Sequence, residues 1–290
     1  FERAFASWVQ AVARLTGGEV VAVDGKVLRR SHDRANGKDA LALVSAWAAT
    51  NRLTLGQVAV ADGSNEIAAI PALLRLLALQ GCIVTIDAIG CQTAIARQVV
   101  AQEADYVLAL KTNQGTLHEA VAVLFAEGQA TGFAGFAHTT HRTVEKGHGR
   151  LEIRRAWAVS EPEVIAYLDP AGAWPGLRSV AMIEAERRIG PAVSRETRYY
   201  ISSLPGAAES LGAAVRGHWG IENRLHWVLD VAFREDESRV RQSAADHNLA
   251  LLRRLALTLL RRETTAKVGT KAKRLKAGWS TAYLLKVLAG

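Results

Sequence analysis

Three carboxylates stand in contexts where chemistry can be done. Asp24 closes the run Val20-Val21-Ala22-Val23, and Asp87 closes Ile83-Val84-Thr85-Ile86. Each is followed by a small residue, Gly25 or Ala88. A short apolar run of this kind reads as a strand buried on both faces. An acid at its end stands at the rim of the sheet, where active sites of α/β folds gather. Either Asp taken singly also fits a plain strand-to-turn transition. The third acid, Glu222, lies in His218-Trp219-Gly220-Ile221-Glu222-Asn223-Arg224-Leu225-His226-Trp227. On a regular helix at about 100° per residue, Leu211, Val215 and Leu229 fall within about 20° of it. That predicts a carboxylate in the middle of an apolar stripe, where it needs an Arg or His partner, a proton or a metal ion.

Three such acids, brought together from separate elements, suit Mg²⁺ or Mn²⁺, hard ions that take carboxylate oxygens and keep several waters. Two ions about 4 Å apart can activate a nucleophile and stabilise the leaving oxygen of a phosphodiester in line. The charge balance points to the same substrate class. The net charge is +8 and the pI is near 9.8, which favours a polyanionic partner, nucleic acid above all. From Leu251 onward stand Arg253, Arg254, Arg261, Arg262, Lys267, Lys271, Lys273, Arg274, Lys276 and Lys286, against the single acid Glu263. Lys271, Lys273, Arg274 and Lys276 are the densest part of this segment and the first candidates for phosphate contacts.

The elements that must position these groups follow from periodicity. Residues 1–15 read as an amphipathic helix through Phe5, Trp8, Val9, Val12 and Leu15, not as a signal peptide. Strands are expected at 20–24, 41–47 and 53–60, the short links suggesting an antiparallel meander. Ser64 is the expected N-cap of a helix that buries Ile67, Ile70, Leu73, Leu74 and Leu77. Strand 83–87, helix 93–102, strand 106–110 and helix 116–125 then alternate, as in a partly parallel sheet with helices on its faces. Residues 132–204 are rich in Gly, Arg, Thr and Val, with strands expected at 151–159, 179–186 and 197–202. Helix returns at 207–228 and 244–260, and a short helix is expected at 279–288.

Other residues carry weaker signals. Lys111 and Asn113 follow a strand end and either reach the site's rim or form a polar turn. His138, His141 and His148 lack a fourth ligand for zinc and read better as solvated or phosphate-contacting histidines. Trp219 and Trp227 read as core packing, with base stacking the alternative. Asp230, Glu235 and Asp236 form a second acidic group able to supplement or replace Glu222. Cys82 and Cys91 have no zinc-type spacing and read as reduced thiols. No apolar run approaches the length of a membrane span.

The segment around Glu222 resembles the glutamate-helix signature of insertion-sequence DDE transposases, in the H-repeat-associated group. Val23-Asp24-Gly25-Lys26, Ser64-Asn65-Glu66-Ile67, Thr85-Ile86-Asp87-Ala88, Lys111-Thr112-Asn113-Gln114, Gly147-His148-Gly149-Arg150 and Asp230-Val231-Ala232-Phe233 with Glu235-Asp236 agree with it, in order along the chain. The resemblance implies an α/β fold with a ribonuclease-H-like mixed sheet flanked by helices. Residues 1–130 would form the first part of the core and 131–205 a β-rich insertion. Residues 206–262 would complete the core with the glutamate helix and a packing helix, and 263–290 would be a basic C-terminal tail. It also implies Asp24, Asp87 and Glu222 as catalytic metal ligands for two Mg²⁺ (or Mn²⁺) ions, with strand cleavage and strand transfer at element ends. Double-stranded DNA is the implied partner, with a homodimer in the DNA complex and a cytoplasmic, nucleoid-associated location. Where related transposases carry Tyr, Arg and Lys around the Glu, this chain has Val215, His218 and Leu229, leaving Arg216 and Arg224 for phosphate contacts. A silent DNA-binding relic and a metal-dependent nuclease without strand transfer fit the same residues.

Overall fold

The apolar runs that precede the two Asp residues become strands, and each belongs to a different compact unit of the computed structural model. The structure describes residues 4–5, 7–9, 17–147, 149–242 and 244–289, the side chain of Arg34 aside. One unit comprises Phe1–Ala78 and Trp219–Gly290, the other Leu79–His218. Of the helix expected over 1–15, the described residues 4–5 and 7–9 are helical, and the rest lies outside the described residues.

In the first unit, β1 (Val20–Val27), β2 (Ala42–Ala48) and β3 (Leu53–Ala59) form the antiparallel meander expected from their short links. The strand β1 does not end at Asp24 as its apolar run suggests. It continues for three residues, with Asp24 opposite Ser45, Gly25 opposite Val44 and Lys26 opposite Leu43. Ladder hydrogen bonds do not depend on side-chain polarity, so hydrophobicity marks the buried part of a strand and not its end. Helix α1 (Glu66–Arg75) is capped by Asn65, not Ser64: the Asn65 side chain accepts the Ala68 N–H at 3.3 Å. It packs against β3 so closely that a Cβ on Gly56 would stand 3.2 Å from Leu73.

The second unit holds a six-stranded mixed sheet in the order β4 (Ile83–Ile86), β5 (Asp105–Leu110), β9 (Ala192–Ser202), β8 (Ser179–Ile189), β7 (Arg150–Val159), β6 (His138–Gly147). The strands β4 and β5 are parallel, connected through helix α2 (Thr93–Ala101), and the remaining pairs are antiparallel. The β-rich stretch thus extends the sheet of β5: β9 pairs with β5 from Tyr199 to Ser202 and with β8 along its length. Helix α3 (Gly115–Thr131) buries Leu117, Val121 and Phe125, and α4 (Pro162–Leu168) is a short link between β7 and β8.

The chain returns to the first unit along one helical run of changing pitch. It comprises α5 (Ala208–Gly220), a π-helical segment (Ile221–His226) and α6 (Trp227–Phe233). Helix α7 (Ala245–Arg262) follows, then α8 (Thr270–Trp279) and α9 (Thr281–Ala289). Leu260, Tyr283 and Val287 form a small core with Phe233, Leu259, Ala266 and Ala277. The basic C-terminal segment is therefore folded, with Tyr283 and Val287, four residues apart, packed with Leu260 of α7.

Candidate active site

One face of β1 organises the surroundings of Asp24. Side chains two apart on a strand share a face, and Ala22, Asp24 and Lys26 each meet a different part of the helical run. Ala22 packs with Trp47, Ile221, Leu225, Leu229 and Leu257. Asp24 Oδ2 lies 3.5 Å from Nδ1 of the buried His226. Lys26 Nζ, almost enclosed, sits 2.7 Å from Asp230 and 3.0 Å from Asp236. The acid that chemistry would use is thus flanked on its own strand by a hydrophobic anchor and a structural ion pair.

The backbone next to Asp24 is equally constrained. Gly25 N–H turns to Asp24 Oδ1 at 2.9 Å. A Cβ on Gly25 would fall 1.9 Å from Oε1 of Glu66, so the Glu66 carboxylate occupies the space that glycine leaves open. Glu66 and His226 are the side chains at Asp24 that residue-by-residue reading passed over. The available signals were their places inside the Ser64–Ile67 and His218–Trp227 segments.

Glu222 is exposed, while Ile221, Leu225 and Leu229 are buried. The apolar-stripe placement expected for it is therefore corrected. Trp227 N–H donates to the Glu222 carbonyl five residues back, the π-helical bond. A wider turn rotates each residue by less than the α-helical angle, so across Ile221–His226 Leu229 falls out of phase with Glu222. The buried row becomes Ile221-Leu225-Leu229, and Glu222 moves to the solvent side. The same shift leaves Trp227 60% exposed, so its core-packing assignment is also corrected.

Asp87 is half-buried just beyond β4 in the second unit. Gly90 N–H reaches its Oδ1 at 3.4 Å. Asn113 donates to the Ala88 carbonyl at 2.7 Å and Gln114 to the Cys91 carbonyl at 2.9 Å, so Asn113 tethers the loop that carries Asp87. Lys111 is exposed at the end of β5. His218 Nδ1 is 3.0 Å from Thr85 Oγ1. Burial holds the His218 imidazole below its ordinary pKa, although Asp87 pulls the other way. Burial, and then the Asp87 charge, push the Cys91 thiol up to about 12.

The remaining candidates separate cleanly. Arg216 pairs with Glu145 at 3.1 Å, and Arg224 is exposed. Lys271 and Lys276 are exposed, Lys276 Nζ lying 4.6 Å above the Tyr283 ring. Arg274 lies over Phe233 at 5.7 Å. Lys273 is buried: it donates to the Leu260 carbonyl at 3.1 Å and to the Glu263 carbonyl, closing the end of α7. The second acidic group is committed to structure, since Asp230 and Asp236 hold Lys26, and Glu235 forms a fully buried pair with Arg254 at 2.9 Å. His138 stacks on Phe133, and His148 lies outside the described residues. Among the described residues no group of three or more His, Cys, Asp or Glu side chains is assembled as a metal site, and no helix is long and apolar enough to cross a membrane.

These features define a mixed α/β protein that carries acids on strand and helix and a large excess of cations. A family model described as the transposase DDE domain matches residues 15–259. YncI of Escherichia coli O157:H7, named as an inferred transposase, is 41% identical over all of this chain and 74% of its own length. YhhI of Escherichia coli K12, named as an inferred H repeat-associated transposase, is 35% identical over all of this chain and 76% of its own. The chain belongs to the DDE transposase family. Among solved structures it is similar to the piggyBac transposase in a synaptic complex with hairpin DNA, at a TM-score of 0.46 and 10% identity. That likeness covers 95% of this chain and 55% of that one.

Proposed function

We propose that the protein is a DNA transposase that cleaves and joins strands at the ends of an insertion sequence, with Asp24, Asp87 and Glu222 as its catalytic carboxylates. The observation that carries this reading is the match to the transposase DDE domain across residues 15–259, a span that includes all three acids. Local structure supports it. Asp24 is set against the π-helical segment that bears Glu222, and that segment turns Glu222 outward, where substrate and ions have access. A π-helical turn inside an α-helical run is a feature that recurs at functional sites.

The donor chemistry fits a hard divalent cation. The three candidate ligands are carboxylates, which favours Mg²⁺ or Mn²⁺ over zinc. Such ions, when bound, polarise a phosphodiester and activate water or a terminal hydroxyl. The chain's own residues hold the ligands. His226 orients Asp24, the Asn113 amide fixes the loop of Asp87, and the Lys26–Asp230 pair locks the helical run onto β1. Double-stranded DNA is the substrate, and dimerisation on DNA would bring two ends together.

The test incubates the full chain with duplexes carrying the element's own ends, with Mg²⁺ or with EDTA. Metal-dependent nicks and joined products are expected. Asp24→Asn, Asp87→Asn and Glu222→Gln should each abolish both products while the protein still melts cooperatively. Each substitution removes a metal ligand and not a partner of a buried ion pair, so these variants should melt near the parent temperature in EDTA. Normal cutting by any one variant removes that acid from the catalytic set, and nicks without joined products reduce the activity to that of a nuclease.

A further inference from the structure

Nine arginines among the described residues form an ion pair with an acid, and Arg52, Arg224 and Arg261 in the first unit are among those that do not. Arg52 lies in the turn between β2 and β3, Arg224 in the π-helical segment two residues after Glu222, and Arg261 in the last turn of α7. Arg261 ties them together. Its guanidinium lies 5.0 Å over the Trp47 ring, and one Nη donates to the Arg224 carbonyl. The other Nη is enclosed without an acceptor among the described residues. Burial, and then the charges of Arg52 and Arg224, lower its pKa to about 10. Among the described residues no ion pair links any of the three to an acid. Glu263, the acid nearest in sequence to Arg261, is taken by Thr265, Tyr283 and Lys273.

Like charges gathered around a partly buried guanidinium raise the energy of the isolated protein. The arrangement becomes favourable when an anion enters. Phosphate is the anion whose geometry a guanidinium fork matches in bidentate fashion. We propose that Arg52, Arg224 and Arg261 form a phosphate-binding site for the DNA backbone, in the same unit as Glu222, to hold the strand on which it acts. Arg52 and Arg224, both exposed, supply the donors. Arg261, stacked on Trp47, supplies fixed positive charge behind them and holds the backbone of Arg224. This deepens the transposase reading and rests on it for the identity of the strand. Sequence patterning singled out Arg224 alone, because the three positions are far apart along the chain.

The experiment uses the full chain and its Arg52→Gln, Arg224→Gln and double variants in two arms. The first measures duplex affinity against salt. Each lost phosphate contact should lower the slope of log K against log salt by about 0.9, and the double variant by about 1.8. The second follows melting in inorganic phosphate against chloride at matched ionic strength. Phosphate should raise the melting temperature of the parent and not that of the double variant. Without phosphate the double variant should melt at or above the parent, since repulsion is relieved. An unchanged salt slope overturns the proposal, and if the phosphate shift is nonetheless lost, the site takes free phosphate and not DNA. A double variant that melts well below the parent without phosphate also overturns it, because the arginines are then structural. Failure of the transposase reading is seen separately, as absence of Mg²⁺-dependent cleavage by the parent.

Discussion

The arginines of the β6–β9 hairpins and those around Arg261 are the same residue put to opposite uses. In the hairpins five arginines have an acid. Arg150 meets Glu152 at 2.7 Å, Arg154 meets Glu145 at 3.2 Å, Arg195 meets Glu186 at 2.8 Å and Arg198 meets Glu196 at 2.8 Å. These pairs lie along and across neighbouring strands, where opposite charges stabilise register modestly. Around Arg261 the charges of Arg52 and Arg224 work against its own. The difference teaches that net charge says little about where an anionic partner binds. What matters is where positive charge has been left uncompensated.

The largest expected effect comes from a third arrangement, the wholly buried pair of Arg254 and Glu235. Arg254→Met should cost about 3–5 kcal/mol, because it strands a buried carboxylate. Chemical denaturation measures this, and the double variant Arg254→Met with Glu235→Gln should recover much of the loss. A loss within the about 1 kcal/mol of a surface pair would place Arg254 with the hairpin arginines.

Lys26 should come next. Lys26→Met leaves Asp230 and Asp236 facing each other beside β1, with an expected cost of about 1–2 kcal/mol given their partial exposure. The same denaturation curves report it. No loss would detach the helical run from β1 as far as this ion pair is concerned.

Acid should produce a smaller, graded effect through Glu263. The Thr265 and Tyr283 hydroxyls hold its pKa at about 2, below the ordinary 4.5. A depressed folded-state pKa contributes stability that is complete above about 4.5 and is lost as pH falls toward about 2. Melting temperature followed from pH 6 downward (an arbitrary start on the plateau) should drop across that window in the parent, and less in Glu263→Gln. Equal curves would show that Glu263 does not tie α9 to the end of α7.

The smallest expected effect is none. Arg154→Gln and Arg195→Gln should leave the salt slope of DNA binding where it is, since their guanidiniums are already matched by acids. A slope lowered by about 0.9 per variant would erase the distinction between the two regions and extend the DNA-binding surface onto the hairpins.

The sequence by itself determined much of this protein. Apolar runs ending near Asp24 and Asp87 marked β1 and β4 because burial selects for local hydrophobicity, and the short links of the first three strands implied their antiparallel order. Ordered motifs from Val23 to Asp236 implied the family. Only tertiary structure decided the rest, for two physical reasons. Periodicity assumes a constant rotation per residue, so the π-helical segment that exposes Glu222 and Trp227 was invisible to it. Charge pairing is set by proximity and not by sequence distance. Lys26 meets Asp230 across 204 positions, Lys273 turns inward to close α7, and Arg52, Arg224 and Arg261 gather without an acid. No local pattern separates a cation that is matched, buried or left for a ligand, because that depends on which distant groups the fold brings alongside it.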